Sequence, residues 1–314
     1  MKLEFDPGLI EEVVFKAMKL KEESGDSAFL DEYHTFADPI YENHTPDERP
    51  AKFRKIEWDF FRKMGFYKAI EEIFLEFSEI DGLVAGGVVA KARSQFDEGS
   101  NLVKGPDLEP GKKRVVIKLL AERFHDNVFL KKLIRHELMH VVDMLTASFG
   151  YKDERLGLNP MEESIIKERY STIWDIYVDS RLISQGKETV VDKEGRYLEF
   201  AALYHGFPSD VNEAIFNALW EDRTLTHDRI LALAENVNKV MAIADDLVIG
   251  KAERKKRTLL PGAQCPLCEF RTYNWVENIE QEPHLVKAVQ EEFPNWMPDD
   301  GICERCLEVY RCNA

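Results

Sequence analysis

Cysteine is missing from the first 264 residues of this 314-residue chain. No disulfide framework can organise that stretch, so a packed core must hold it. Long apolar runs are missing too: no uninterrupted segment reaches the length needed to cross a bilayer. The opening Met1-Lys2-Leu3-Glu4-Phe5-Asp6-Pro7 lacks the apolar stretch of a secretory leader. The expectation is a cytoplasmic protein without a membrane partner. Basic charge is also scarce, with 42 Lys and Arg against 58 Asp and Glu and a formal net charge of -16. Phosphate neutralisation needs clustered Lys and Arg, so a broad nucleic-acid surface is unlikely and the acidity reads as solubility.

With 44% hydrophobic residues the chain can bury a full core and still carry an appended module. Within that core material lies Arg135-His136-Glu137-Leu138-Met139-His140-Val141-Val142-Asp143. In a helix, side chains four positions apart share a face, so His136 and His140 can direct both imidazoles at one metal ion. Glu137 lies one step round, placed to hold and deprotonate an activated water without being a ligand itself. Asp126 is a natural N-cap for this helix and Gly150 a natural stop. The flanking residues are so apolar that the helix should be buried. Two His and a Glu inside it then need polar partners, which a metal supplies; satisfied core histidines are the alternative.

These five residues, His136 to His140, resemble the signature of the zincin metallopeptidases. Upstream, Lys113 to Phe124 reads as a strand, similar to the edge strand that lines the zincin cleft and pairs with extended substrate. The resemblance covers roughly residues 66 to 185 and implies a catalytic zinc ion, with Glu137 as general base and a peptide or protein as substrate. Catalytic zinc usually has three protein ligands, so one more is needed. Gluzincins take it from a later helix bearing Glu-x-x-x-Asp. Here Asn159-Pro160-Met161-Glu162 starts a helix reaching about Gln185, on which Asp175 and Asp179 share a face. By resemblance Asp175 is the ligand and Asp179 the orienting group, with the roles exchangeable. Two solvated carboxylates are the plainer reading. Asp143 competes as ligand, but its Cα lies about 10 Å along the axis from His136, too far for a short side chain; Arg181 is a candidate partner for it. Tyr170, Tyr177 and the Tyr204-His205 pair are candidates for stabilising an oxyanion.

Elsewhere the periodicity predicts helices over about 9–23, 51–64, 66–77, 195–204, 209–220 and 226–249, with a possible further one at 283–293. Residues 26–50 read as irregular chain laid on a surface, residues 83–96 as a strand with a bulge or close approach at Gly86-Gly87, and 97–112 as a polar loop. The fold class is α+β and mostly helical: a zincin-like domain with a small antiparallel or mixed sheet over residues 1–250, then a module over 251–314.

That module opens with the basic linker Lys251 to Arg257. Cys265-Pro266-Leu267-Cys268 and Cys303-Glu304-Arg305-Cys306 follow, four thiolates suited to a closed tetrahedral structural zinc. The pattern resembles zinc-ribbon and treble-clef modules, although the gap between the pairs exceeds the usual ribbon spacing. SprT-type proteases similarly join a zincin domain to a Cys-rich tail, but Val141-Val142-Asp143 lacks their additional His. Apart from its linker the module is not basic, which weakens a nucleic-acid role without removing it. The expected cofactors are therefore two zinc ions, one catalytic and one structural. The expected function is a metallopeptidase; the alternatives are an inactive zincin-like binding or regulatory protein with two structural zinc sites, or a hydrolase of non-peptide amides or esters.

Overall fold

The computed structural model describes residues 1–105, 108–109, 111–155, 159–247, 259–293 and 296–313. The basic linker Lys251 to Arg257 lies outside them. The chain divides into two compact units that do not follow chain order: Met1–Tyr151 with Leu182–Val190, and Lys152–Arg181 with Val191–Ala314. The fold is mostly helical with a small mixed sheet. Among the described residues no helix is long and apolar enough to cross a membrane.

The first unit holds β1 (Leu3–Phe5), α1 (Pro7–Glu23), α2 (Ala28–Asn43), α3 (Arg49–Lys63), α4 (Phe66–Leu75), β2 (Val84–Lys91), β3 (Gly99–Val103), β4 (Lys113–Leu119) and α5 (Asn127–Leu145). Its sheet runs β1-β2-β4-β3, with β2 parallel to both neighbours and β3 antiparallel to β4. The strand expected over 113–124 ends at Leu119, and it is not an edge. Val115, Ile117 and Leu119 are fully buried, which suits an interior strand flanked on both sides. The edge falls to β3, inside what read as a polar loop; its Gly-Ser-Asn-Leu-Val sequence carries too little apolar alternation to announce itself. At β2 the glycines behave as expected. The register shifts between Val84 and Gly87, and a Cβ on Gly87 would meet Leu3 Cδ2 at 2.7 Å, so any larger residue would push the Leu3 side chain aside.

Residues 28–43 are helical, correcting the irregular reading. The Pro and polar residues masked a stripe of Phe29, Leu30, Tyr33, Ala37, Ile40 and Tyr41 at helical spacing. Tertiary packing carries Pro39 inside the helix, with Tyr33 and Phe60 edge to face at 5.4 Å. Helix α5 begins as expected, the Asp126 carboxylate accepting hydrogen bonds from the Val128 and Phe129 amides at 3.1 and 2.9 Å. It buries Leu130, Ile134, Leu138 and Val141 with no more than 1% exposure. Arg135, on its more exposed side, grips Glu76 with two hydrogen bonds of 2.9 and 2.7 Å.

The second unit takes α6 (Pro160–Ser184) through Arg181, then α7 (Lys193–Leu203), α8 (Ser209–Glu221), α9 (His227–Glu235) and α10 (Val237–Leu247). Asn159 caps α6, its Oδ1 accepting from the Glu162 amide at 3.0 Å. The single helix expected over 226–249 is two. Asn236 ends α9 in an extended conformation, and its Oδ1 accepts from the Asn238 amide at 2.9 Å, starting α10. The module completes the unit with β5 (Ala263–Gln264), β6 (Arg271–Thr272), α11 (Pro283–Glu292) and α12 (Glu304–Asn313), the last unforeseen.

Asp126→Ala should lower stability by about 1 kcal/mol, the usual cost of losing an N-cap. A guanidinium melt following helical ellipticity will show this as an earlier first transition, and an unchanged midpoint would deny the cap its role.

Candidate metal centres

In the first unit, α5 places His136 and His140 on its buried face, with 7% and 9% exposure. The rings lie 4.7 Å apart between centroids at 75°, and the two Nε2 atoms are 3.1 Å apart. Two zinc-bound nitrogens at about 2.0–2.1 Å and a tetrahedral angle would be separated by about 3.3 Å. The imidazoles thus fit a shared cation. A direct N–H···N hydrogen bond between them fits the distance as well.

Glu137 is half-buried and turns toward β3. A Cβ on Gly99 would lie 3.9 Å from Glu137 Oε2, and the Ser100 hydroxyl donates to the Glu137 carbonyl at 3.0 Å. The strand therefore lies along the His-bearing helix at the Glu. The absence of a side chain at Gly99 keeps room beside the carboxylate. Asp143, farther along α5, is 2% exposed.

In the second unit, Asp175 and Asp179 share one face of α6, and a residue that the sequence did not mark, Arg196 on α7, binds both. Its Nε donates to Asp179 Oδ2 at 2.6 Å and its guanidinium nitrogen to Asp175 Oδ2 at 3.3 Å. Asp179 is fully buried, whereas the Asp175 side chain keeps 26% exposure. Solvated carboxylates on an open face are thereby ruled out for Asp179. Nothing in the spacing of α7 flags Arg196, since one arginine in an amphipathic helix usually faces water. Of the tyrosines, Tyr170 shares a 2.7 Å hydrogen bond with His227 Nδ1, the Tyr177 hydroxyl donates to the Arg223 carbonyl at 3.2 Å, and Tyr204 has no exposure, its hydroxyl meeting no hydrogen-bond partner among the described residues.

Cys265, Cys268, Cys303 and Cys306 gather with their sulfurs all within 4.8 Å of one another. The Cys265–Cys306 and Cys268–Cys303 sulfur pairs are each 3.9 Å apart, close to the ~3.8 Å edge of a tetrahedral zinc–thiolate site. All four are free thiols, able to hold a metal ion, and Cys312 stands exposed apart from them. Local structure builds the cluster. The Cys265–Cys268 turn closes with the Cys265 amide on the Phe270 carbonyl at 2.9 Å, and Trp275 bridges to Cys303 at the start of α12. Around it pack Ile279, Leu285, Val289, Trp296, Ile302 and Leu307, a thin core for a module of this size. Burial pushes the Cys303 and Cys306 thiols above their ordinary pKa. At Cys265 burial acts the same way, but backbone amides of Cys268, Leu267 and Cys303 outweigh it and favour the thiolate.

Searches against protein-family models, curated proteins and solved structures give no match to this chain.

Cys303→Ser should remove one equivalent of zinc per chain in elemental analysis and destabilise the module, while Cys312→Ser should leave the zinc content unchanged. Arg196→Met should cost about 3 kcal/mol, because Asp179 loses a buried ionic partner. Equal melting of that variant and the wild type would show the clamp to be dispensable.

Proposed function

We propose that the chain is a zinc-dependent hydrolase, a zincin-like metallopeptidase in which His136, His140 and Asp175 hold the ion and Glu137 is the general base. The approach of the two Nε2 atoms to 3.1 Å on a buried helix face carries the reading, because a chelated cation satisfies both imidazoles at once. Asp175 enters as third donor by the likeness of Asp175-x-x-x-Asp179 to the Glu-x-x-x-Asp helix of the gluzincins. It keeps partial exposure, whereas Asp179 is buried on Arg196 and suits the orienting role. Zinc bound there would supply Lewis acidity and bring the pKa of a water toward neutrality.

Glu137 takes the proton from the attacking water and returns it to the leaving amine. Its half-buried position beside Gly99 leaves space for a substrate carbonyl on that side. The outer edge of β3 supports a peptide as substrate: it ends the sheet, is antiparallel to β4, and offers backbone donors and acceptors to an extended chain. Such pairing positions the scissile bond by main-chain hydrogen bonds and asks little of substrate side chains.

Glu137→Gln should abolish hydrolysis of an unstructured protein substrate, with a loss of at least about 100-fold, while zinc stays at two per chain. His136→Ala should lower zinc from two per chain to one. Full activity in the Gln variant, or one zinc in both wild type and His136→Ala, would remove the catalytic centre from the account. Two zinc ions with no hydrolysis of any peptide, amide or ester would favour a binding protein.

A further inference from the structure

Away from the histidines, the first unit buries a carboxylate that has no assigned task. Glu57 on α3 is 8% exposed. It makes no hydrogen bond or ion pair with any described residue. It lines two cavities, of ≈ 540 and ≈ 380 Å³, which also share Glu11 of α1 and Tyr33 of α2. A carboxylate with no partner among the described residues, opening onto two cavities, can take one from outside the chain.

Two of the three neighbouring cations are engaged, and the third, Arg54, lines the larger cavity from an exposed position. Arg49 donates to the His44 and Tyr41 carbonyls, each at 3.0 Å, and Lys91 pairs with Glu12 at 2.7 Å. Among the other acids, Asp38 faces His34 at 3.3 Å, whereas Glu11 has no hydrogen bond or ion pair among the described residues. Aromatic rings complete the larger cavity, with Tyr41 and Phe53 5.1 Å apart and Tyr33 beside them. The groups of described residues able to hold a metal do not include these acids. A carboxylate pair backed by aromatic faces suits a positive charge on an apolar stem.

We propose that this cavity is a binding site for an alkylammonium group, whose charge lies between Glu57 and Glu11 and whose stem packs on Tyr33, Tyr41 and Phe53. A free amine and a lysine side chain offer the same chemistry. Burial, and then the charge of Glu11, push the Glu57 carboxyl up to about 7, with Arg54 pulling weakly the other way. Glu11 and Glu12 of α1, Tyr33 and His34 of α2, Arg54 of α3 and Lys91 of β2 are the charged and titratable groups nearest this end of the cavities. An arriving ammonium ion favours the ionised form, so binding near neutrality expels a proton from Glu57.

Calorimetric titration of the full chain with n-hexylamine, with a capped lysine and with n-hexanol tests this. The expected result is saturable binding of at least one amine, none of the alcohol, and at least tenfold weaker amine binding by Glu57→Gln. The tighter amine identifies the natural source. Repeating the wild-type titration at pH 7 in two buffers of different ionisation enthalpy should show release of about half a proton. That arm needs no variant, should Glu57→Gln fold poorly. No saturable binding of either amine up to about 10 mM, equal affinity in Glu57→Gln, equal binding of hexanol, or binding without proton release would each overturn the proposal.

Discussion

Two imidazole nitrogens held 3.1 Å apart inside an apolar helix place a demand on everything near them. Each lone pair must find a proton or a cation, since neither can turn to bulk water. The helix cannot relieve the crowding by rotation. Leu130, Ile134, Leu138 and Val141 fix its buried face, Asp126 fixes its start, and Arg135 ties its outer side to Glu76. The pair is therefore preorganised, with its rings set by packing before any ligand arrives. Such rigidity is what a catalytic metal site requires of its scaffold.

The same logic applies in reverse to Asp175 and Asp179. A carboxylate with no exposure, such as Asp179, persists as an anion only with a cation at hand, and Arg196 is that cation, at 2.6 Å. The guanidinium reaches Asp175 more loosely, at 3.3 Å on a single oxygen. One carboxylate is thus held with no exposure, while the side chain of the other stays 26% exposed. The two acids therefore differ in their surroundings, a difference that their spacing on one helix did not reveal.

What the sequence revealed and what it hid follow from the range of the interactions involved. The His136–His140 face, the Asp126 and Asn159 caps and the two Cys pairs depend on residues within a few positions of each other, and all were legible; at Gly87 the glycine marked a close approach, but not that Leu3 makes it. The position of β3 was not, because membership of an edge depends on which strand pairs with it. Nor was Arg196, whose partners lie 17 and 21 residues earlier in the chain. Glu57 was equally hidden: in a helix rich in Lys and Arg it looks like a solvated acid, and only the packing of α1 and α2 buries it. Helix α2 shows tertiary context overriding local signals, its proline accommodated because the aromatic stripe has α3 to pack against.

The Cys-rich module is bound into its unit by more than chain continuity. The Arg169 guanidinium, 4% exposed on α6, donates to the Pro261 carbonyl at 2.6 Å, and Glu162 one turn into the same helix receives Arg271 at 3.1 Å. Both links end within a few residues of Cys265, on the hairpin that the thiolate cluster closes. A thin core cannot hold that hairpin alone, so a metal ion held by the four sulfurs would also fix where Pro261 and Arg271 meet α6. Arg169 precedes Asp175 by less than two turns of one unbroken helix. The tail and the carboxylates are thus tied to one and the same helix, Arg169 and Glu162 holding the first and Arg196 the second.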